Sequence, residues 1–505
     1  MLKSINKNNY KFSLSILIYI ISTLYLSINK SYDLLSLLLL NTFFFIPLII
    51  YFKSENKKKS QKRFPLFEII VILFFLTSFF IFYFDYYNYL FQFLYKDKNF
   101  YTLDQNVLFE TKKTITSLIL KIYLISIIIF ISSYYFLRFL LSKIKLRDIS
   151  LFLNQSQILK IGYILYAGYL IMDINSYFKN VSVISELKIL FIYTSLLIIF
   201  YSDNNYNKLI KYLFVFLLFA YLSLKTFVMP VISCTILILS IEWLIKKKIN
   251  VVILTIFLFT FYYINLTKSF HRQNLEIYKY DTNSITFIEN AKIFINYSSQ
   301  KKTVKRFEFD QNQFGEDVLK HKGLKINQYS SALQFQSLVR RISMSTQTLV
   351  HVIFYDDIAQ GYEGKTLKFA LYSLVPSVVW KNKPSFILAN QFGRDFNFLY
   401  KDDYKTSINI PFITELYLNY YFKGIIIGMF LFALLISLIE FFISIYLNKD
   451  KIFSFILIAS TFSFTYIETA AIFIVNGFVV KLAVLLITIY CLKIILDNFN
   501  RLKLK

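Results

Sequence analysis

Glycine and proline are scarce in this 505-residue chain, which has ten Gly and six Pro. Tryptophan (two), cysteine (two) and histidine (three) are scarcer still. Charge is thin as well: Asp, Glu, Lys and Arg make up 17%, against roughly 25% in soluble domains. Each shortage excludes something. Two cysteines cannot build a disulfide framework, and Cys234 and Cys491 both fall inside apolar runs. The His and Cys residues show no zinc-type spacing, so neither a metal nor another cofactor is expected.

Apolar residues fill the chain instead. It is 56% hydrophobic and 20% aromatic, in runs that reach the ~18 residues needed to cross a bilayer. The expectation is an all-α, polytopic integral membrane protein. A net charge of +26 would suit nucleic acid in a soluble domain. In so apolar a chain it points to membrane lipid as the partner, and not to nucleic acid.

Hydropathy places about twelve transmembrane helices, near 12–28, 34–52, 65–84, 116–137, 158–174, 187–201, 209–224, 226–245, 249–266, 424–446, 452–468 and 477–496. Lys/Arg clusters follow the even-numbered ones: Lys53–Arg63, Arg138–Arg147, Lys246–Lys248, Lys449 with Lys451, and Arg501 to Lys505. Short-loop basic residues stay in the cytoplasm, so both termini are expected there. Three regions follow: an N-terminal bundle of about nine helices (1–266), one large loop (267–423), and about three C-terminal helices (424–505). The large loop is then expected on the other side, in the periplasm or at the cell exterior.

That loop collects the residues that are rare elsewhere. Five of the ten Gly (361, 364, 393, 424, 428) and three of the six Pro (376, 384, 411) fall between Gly361 and Gly428. Gly364–Trp380 is apolar but carries two Lys and a Pro, and reads as a helix lying at the interface or re-entering the membrane. "KSFHRQN" puts His271 and Arg272 at headgroup depth, where an interfacial anchor is the plainer reading. "SLVRRISMSTQTLVHVIFYDD" carries Arg340, Arg341 and His351; on a helix, Arg340 and His351 share a face. The third patch, Pro376 to Gly424, holds Trp380, Lys383, Asn390, Arg394, Tyr417 and Asn419. Its Glu415 stands at an apolar boundary, as a working base or as a structural partner in equal measure. Arg and Lys match phosphate oxygens, and aromatic faces suit sugar rings. The pattern implies a ligand with an anionic headgroup, a glycan and a lipid tail.

"VPSVVWKNKP", "FGRDF" and "TSINIPFITELYLNYYFKGIIIG" together resemble the C-terminal region of Wzy-type O-antigen polymerases. The matching positions are Pro376, Trp380, Lys383, Pro384, Asn390, Gly393, Thr406, Glu415, Tyr417, Asn419 and Gly424, over some fifty residues. Where that family often has Gly-Phe, this chain has Tyr420-Tyr421. The resemblance implies a metal-independent membrane glycosyltransferase of GT-C-like helical architecture. It would join oligosaccharide repeat units carried on undecaprenyl diphosphate, with a chain-length regulator as a further partner. Glu415, His351 or His271 would take the acceptor proton. Arg272, Arg340, Arg341, Lys383 and Arg394 would hold the diphosphate, and Trp380, Tyr417, Asn390 and Asn419 the glycan.

Two other readings stay open. An O-antigen ligase of the WaaL type uses much the same parts. A lipid-linked oligosaccharide flippase or other transporter would want polar groups at midplane. Lys121, Lys211 and Lys481 are the intramembrane charges noted, and each lies near enough to a span end to snorkel.

Overall fold

In the computed structural model the described residues are 66–86, 91, 104–144, 155–174, 196, 212–213, 215–216, 218, 234–241, 251–258, 346–375, 380, 388–404, 406–449, 451–461, 464 and 470–503. Among them every regular element is a helix. In chain order we label α1 (Leu66–Tyr86), α2 (Gln105–Leu141), α3 (Gln155–Ile174), α4 (346–354) and α5 (Asp356–Gln360). There follow α6 (Lys365–Ser373), α7 (Leu388–Asp395), α8 (Phe412–Lys449), α9 (Lys451–Ser460) and α10 (Ala471–Lys503).

Three stretches are long and apolar enough to cross a membrane: α2, Phe412–Tyr446 of α8, and Gly477–Ile495 of α10. The chain is thus a helical membrane protein. Of the other expected spans, 65–84 and 158–174 correspond to helices α1 and α3, and the rest lie wholly or partly outside the described residues.

α2 starts at Gln105, well before the expected 116. Asp104 caps it by accepting the Asn106 N–H, and a Lys113–Glu110 pair at 3.3 Å supports the first turns. Those turns are polar, so hydropathy reads them as loop although they are helix.

The chain divides into two compact units. The first comprises Met1–Ile149, Arg340–Lys449 and Ser463–Val480. In it α8 packs chiefly along α2, and α1 packs on both. An aromatic seam joins the three. Phe67 stacks on Tyr134 at 3.8 Å, Phe130 meets Phe432 at 5.5 Å, and Phe74 meets Phe432 edge-on at 6.4 Å. Such pairs add roughly 0.5–1.5 kcal/mol each beyond the area they bury.

At one end of this seam Glu440 of α8 is buried. Its carboxylate accepts the Phe67 backbone N–H (2.7 Å) and the Tyr134 hydroxyl. The start of α1 and the C-terminal turns of α2 and α8 therefore meet. Each of those helix ends adjoins a Lys/Arg cluster in sequence.

The other end of α8 doubles back. Tyr420 (φ −148°, ψ 24°) and Tyr421 (φ 51°, ψ −137°) leave the helical region, and Tyr421 takes a positive φ that few non-glycine residues adopt. In a straight helix Phe412 and Phe432 would stand about 30 Å apart. Here their rings are 5.1 Å apart. α8 is therefore a hairpin of a short arm (412–419) and a long arm (422–449).

Two glycines permit the fold-back. A β-carbon at Gly424 would lie 2.1 Å from the Leu416 carbonyl oxygen, and one at Gly428 would lie 2.3 Å from Leu416 Cδ2. "GIIIG" is thus the groove that receives the short arm, the small-residue spacing that lets helices approach closely in a membrane. All of 412–419 is buried, as a helix clasped on several sides requires. Sequence reading leaves this arm in the outer loop and reads 364–380 as the helix that lies at the interface or re-enters. The arm that turns back is Phe412–Asn419. From Tyr421 to Glu440 the long arm covers about 28 Å, close to one hydrocarbon thickness.

The second unit comprises Ser150–Val339, Asp450–Phe462 and Lys481–Lys505. Its described residues form α3, the helical stretches 234–241 and 251–258, α9 and the later turns of α10. Gln157 of α3 donates to Asp497 of α10 at 3.2 Å.

Candidate functional site

The hairpin tip carries a cap of short elements, α4 to α7 and the loop 396–411. Gly364 starts α6 with φ 71°, and the Tyr420 hydroxyl reaches over it, so a β-carbon at Gly364 would meet that oxygen at 2.1 Å. The next turn is sewn to the short arm. Asn419 Nδ2 donates to Thr366 Oγ1 (2.6 Å) and to the Glu415 carbonyl (2.6 Å), and its Oδ1 accepts the Thr366 N–H (3.3 Å). Both side chains are buried.

Glu415 completes this network. It is 1% exposed, and its carboxylate accepts the Ala471 backbone N–H at the start of α10 and a hydrogen bond from the Thr366 side chain. A carboxylate at a helix N-terminus satisfies an orphan donor and complements the helix dipole. Of the two roles expected for Glu415, these bonds supply contacts for the structural one and leave the base role to experiment. The partner is a helix end and not a Lys or Arg.

α4 lies against the same arm through Thr348 and Thr414, whose hydroxyls are 3.3 Å apart. One turn on, His351 is buried, stacked on Phe398 at 4.0 Å, with Nδ1 2.8 Å from the Phe396 carbonyl oxygen. A carbonyl only accepts, so Nδ1 carries the proton of this bond, and Nε2 is buried.

α7 and its following loop hold His351 in place. The Gly393 carbonyl accepts both the Phe398 and Leu399 N–H groups at 2.8 Å, and Asn397 takes φ 58° to close the helix. A β-carbon at Gly393 would lie 2.6 Å from Leu399 Cδ1, so that side chain would have to shift to admit one. Asn390 is buried and donates to the Asp403 carbonyl (2.8 Å) and the Thr406 carbonyl. It clamps the loop. Tyr362 donates to Asp395 at 2.8 Å; burial, then that bond and the nearby carboxylate, push its phenol well above the usual range.

Two expected site residues reach the surface. Arg394 is half-buried with its guanidinium 4.2 Å from the Tyr404 ring centroid, and Trp380 sits edge-on to Tyr372 at 5.4 Å. Tyr417 is buried against Tyr421 and Phe422. His351, Asn390, Arg394, Glu415, Tyr417 and Asn419 thus belong to one body at the hairpin end of the unit. His271, Arg272, Arg340, Arg341 and Lys383 lie outside the described residues.

Sequence reasoning passed over Thr366, Tyr400, Tyr404 and Glu440. For Glu440 the signal was present: one carboxylate inside "LLISLIEFFISIYL". Comparison of the chain with protein families, with curated proteins and with solved structures finds no match.

Proposed function

We propose that this chain is a membrane glycosyltransferase that joins oligosaccharide repeat units carried on undecaprenyl diphosphate, in the manner of Wzy-type polymerases. One observation carries the reading. Six of the eleven residues of the resemblance (Asn390, Gly393, Glu415, Tyr417, Asn419 and Gly424) are parts of one cap-and-hairpin body. That body also holds a buried imidazole and a half-buried guanidinium.

In this reading the hydroxyl oxygen of one lipid-linked unit attacks the anomeric carbon of another. The bond from that carbon to the phosphate oxygen breaks, and undecaprenyl diphosphate departs with the electron pair. A base of the site, His351 or Glu415, takes the hydroxyl proton, and Arg394 stabilises charge on the departing diphosphate. Glu415, Asn419 and Asn390 frame the site. The hairpin tip stands about one hydrocarbon thickness from Glu440, which suits a reaction at the membrane surface opposite the basic clusters.

The test is reconstitution. Purified protein given undecaprenyl-diphosphate repeat units should yield longer glycans and release undecaprenyl diphosphate. Absence of both products with folded, inserted protein overturns the assignment. In cells, loss of the gene should leave lipid A core bearing a single repeat unit; bare core would indicate a WaaL-type ligase.

A further inference from the structure

We propose that Tyr400 and Tyr404 form a sugar-stacking platform beside Arg394, taking a pyranose ring of the glycan next to its diphosphate. The inference deepens the proposed function and rests on it for the ligand class. Its observations are separate.

Tyr404 is 70% exposed and Tyr400 84% exposed, unusual openness for aromatic rings in so apolar a chain. Neither is loosely presented. Asn390 grips the carbonyls on either side of Tyr404, at Asp403 and Thr406. Asp403 Oδ1 accepts the Thr406 N–H at 2.9 Å, and the Asp403 N–H donates to the Tyr400 carbonyl at 3.1 Å. The loop is a built turn.

One face of Tyr404 is taken by the Arg394 guanidinium at 4.2 Å. Arg394 Nε is buried and has no hydrogen-bond partner among the described residues. The cation is thus aligned by a π-face. Tyr404 is otherwise largely exposed, and the negative quadrupole of an aromatic face attracts the polarised C–H face of a sugar. Asp402 is exposed beside it, and a carboxylate accepts charge-assisted hydrogen bonds from sugar hydroxyls. A cation for phosphate, a ring for the adjoining sugar and a carboxylate for its hydroxyls occupy five consecutive turn residues and the helix beneath them.

Tyrosines also anchor proteins at bilayer interfaces. Here the exposed neighbours Lys401 and Asp402 offset each other in charge, so the turn offers anionic lipid no net attraction, and a pinned loop adds nothing to an anchor. The sugar reading uses both features.

The experiment uses full-length protein in nanodiscs and glycan released by mild acid from the lipid-linked pool of cells carrying the gene. Saturation-transfer NMR should show contact to sugar ring protons. Tyr404→Ala and Tyr400→Ala should each weaken binding by up to about tenfold, while Tyr404→Trp retains it. No transfer with the wild type, or equal transfer with both alanine variants, overturns the platform. Tyr400→Ala removes an exposed ring, so it remains decisive if Tyr404→Ala fails to fold. A nitroxide at Tyr400→Cys, in a Cys491→Ser background, should be reached by a water-soluble relaxant. Burial of that label in lipid overturns the proposal in favour of an anchor. Tyr404-dependent binding without elongation would sink the polymerase reading alone. Elongation whose KM ignores Tyr400→Ala and Tyr404→Ala would sink the platform alone.

Discussion

Glu440 of α8 and Phe67 of α1 lie 373 residues apart in sequence, yet the carboxylate of one accepts the backbone N–H of the other at 2.7 Å. The same carboxylate takes the Tyr134 hydroxyl. One side chain thus caps the start of α1 and ties it to α2 and α8.

Glu440→Ala should lower stability by roughly 2–4 kcal/mol, because two donors lose their acceptor in an apolar surrounding. Glu440→Gln keeps one amide oxygen and should lose less. Thermal unfolding of both variants in detergent or nanodiscs measures the gap, and equal loss would count against the cap.

The hairpin makes the two glycines unequal. Gly424→Ala sets a methyl against the Leu416 backbone carbonyl, whereas Gly428→Ala meets only the movable end of the Leu416 side chain. Overpacking of about 1–3 kcal/mol is expected at Gly424 and less at Gly428. Unfolding midpoints in the reverse order would contradict the fold-back.

Glu415 and His351 should separate by chemistry. Glu415→Gln retains an acceptor for the Ala471 N–H, so folded protein and much of the elongation rate should persist. His351→Gln should lose about 100-fold or more in rate with folded protein intact. A collapse of rate in Glu415→Gln at matched protein level would make Glu415 the base instead.

Topology gives a check that needs no substrate. Cysteines placed at Lys143 and Lys449 should be labelled from the same side of the membrane, and one at Tyr400 from the other. Common labelling of all three would exclude the proposed outer site.

Tyr362 supplies a pH test. Its phenol is raised, so its stabilising effect is complete below the unfolded tyrosine value of about 10 and falls as pH rises beyond it. The stability difference between the wild type and Tyr362→Phe should therefore be flat at neutral pH and shrink in alkali. A gap that widened in alkali would reverse the assigned cause.

Hydropathy made α1, α3, the long arm of α8 and the later part of α10 legible, because uninterrupted apolar runs leave few alternatives in a bilayer. It missed the reversal at Tyr420-Tyr421. An apolar run looks the same whether it continues straight or folds on itself, and only "GIIIG" hinted at a closely approaching partner. The polar start of α2 was hidden for the opposite reason, since its stability comes from a cap and an ion pair. Within the site, Asn390, Glu415 and Asn419 stood out by type, but their roles did not. A buried amide that clamps a loop and one that grips a sugar have the same letter. The partners that decide between them, the carbonyls of Asp403 and Thr406 or the N–H of Ala471, carry no mark in the side-chain sequence.

The bond from Ala471 to Glu415 spans 56 residues, and it orders events in the making of the protein. The short arm leaves the ribosome before the long arm that receives it and well before α10. Until α10 arrives, the arm holds a carboxylate whose helix-end donor has not yet been synthesised. The arm therefore gains this bond only after the start of α10 is made, and a nascent protein truncated before Ala471 should display an unlatched arm to proteases and insertion chaperones.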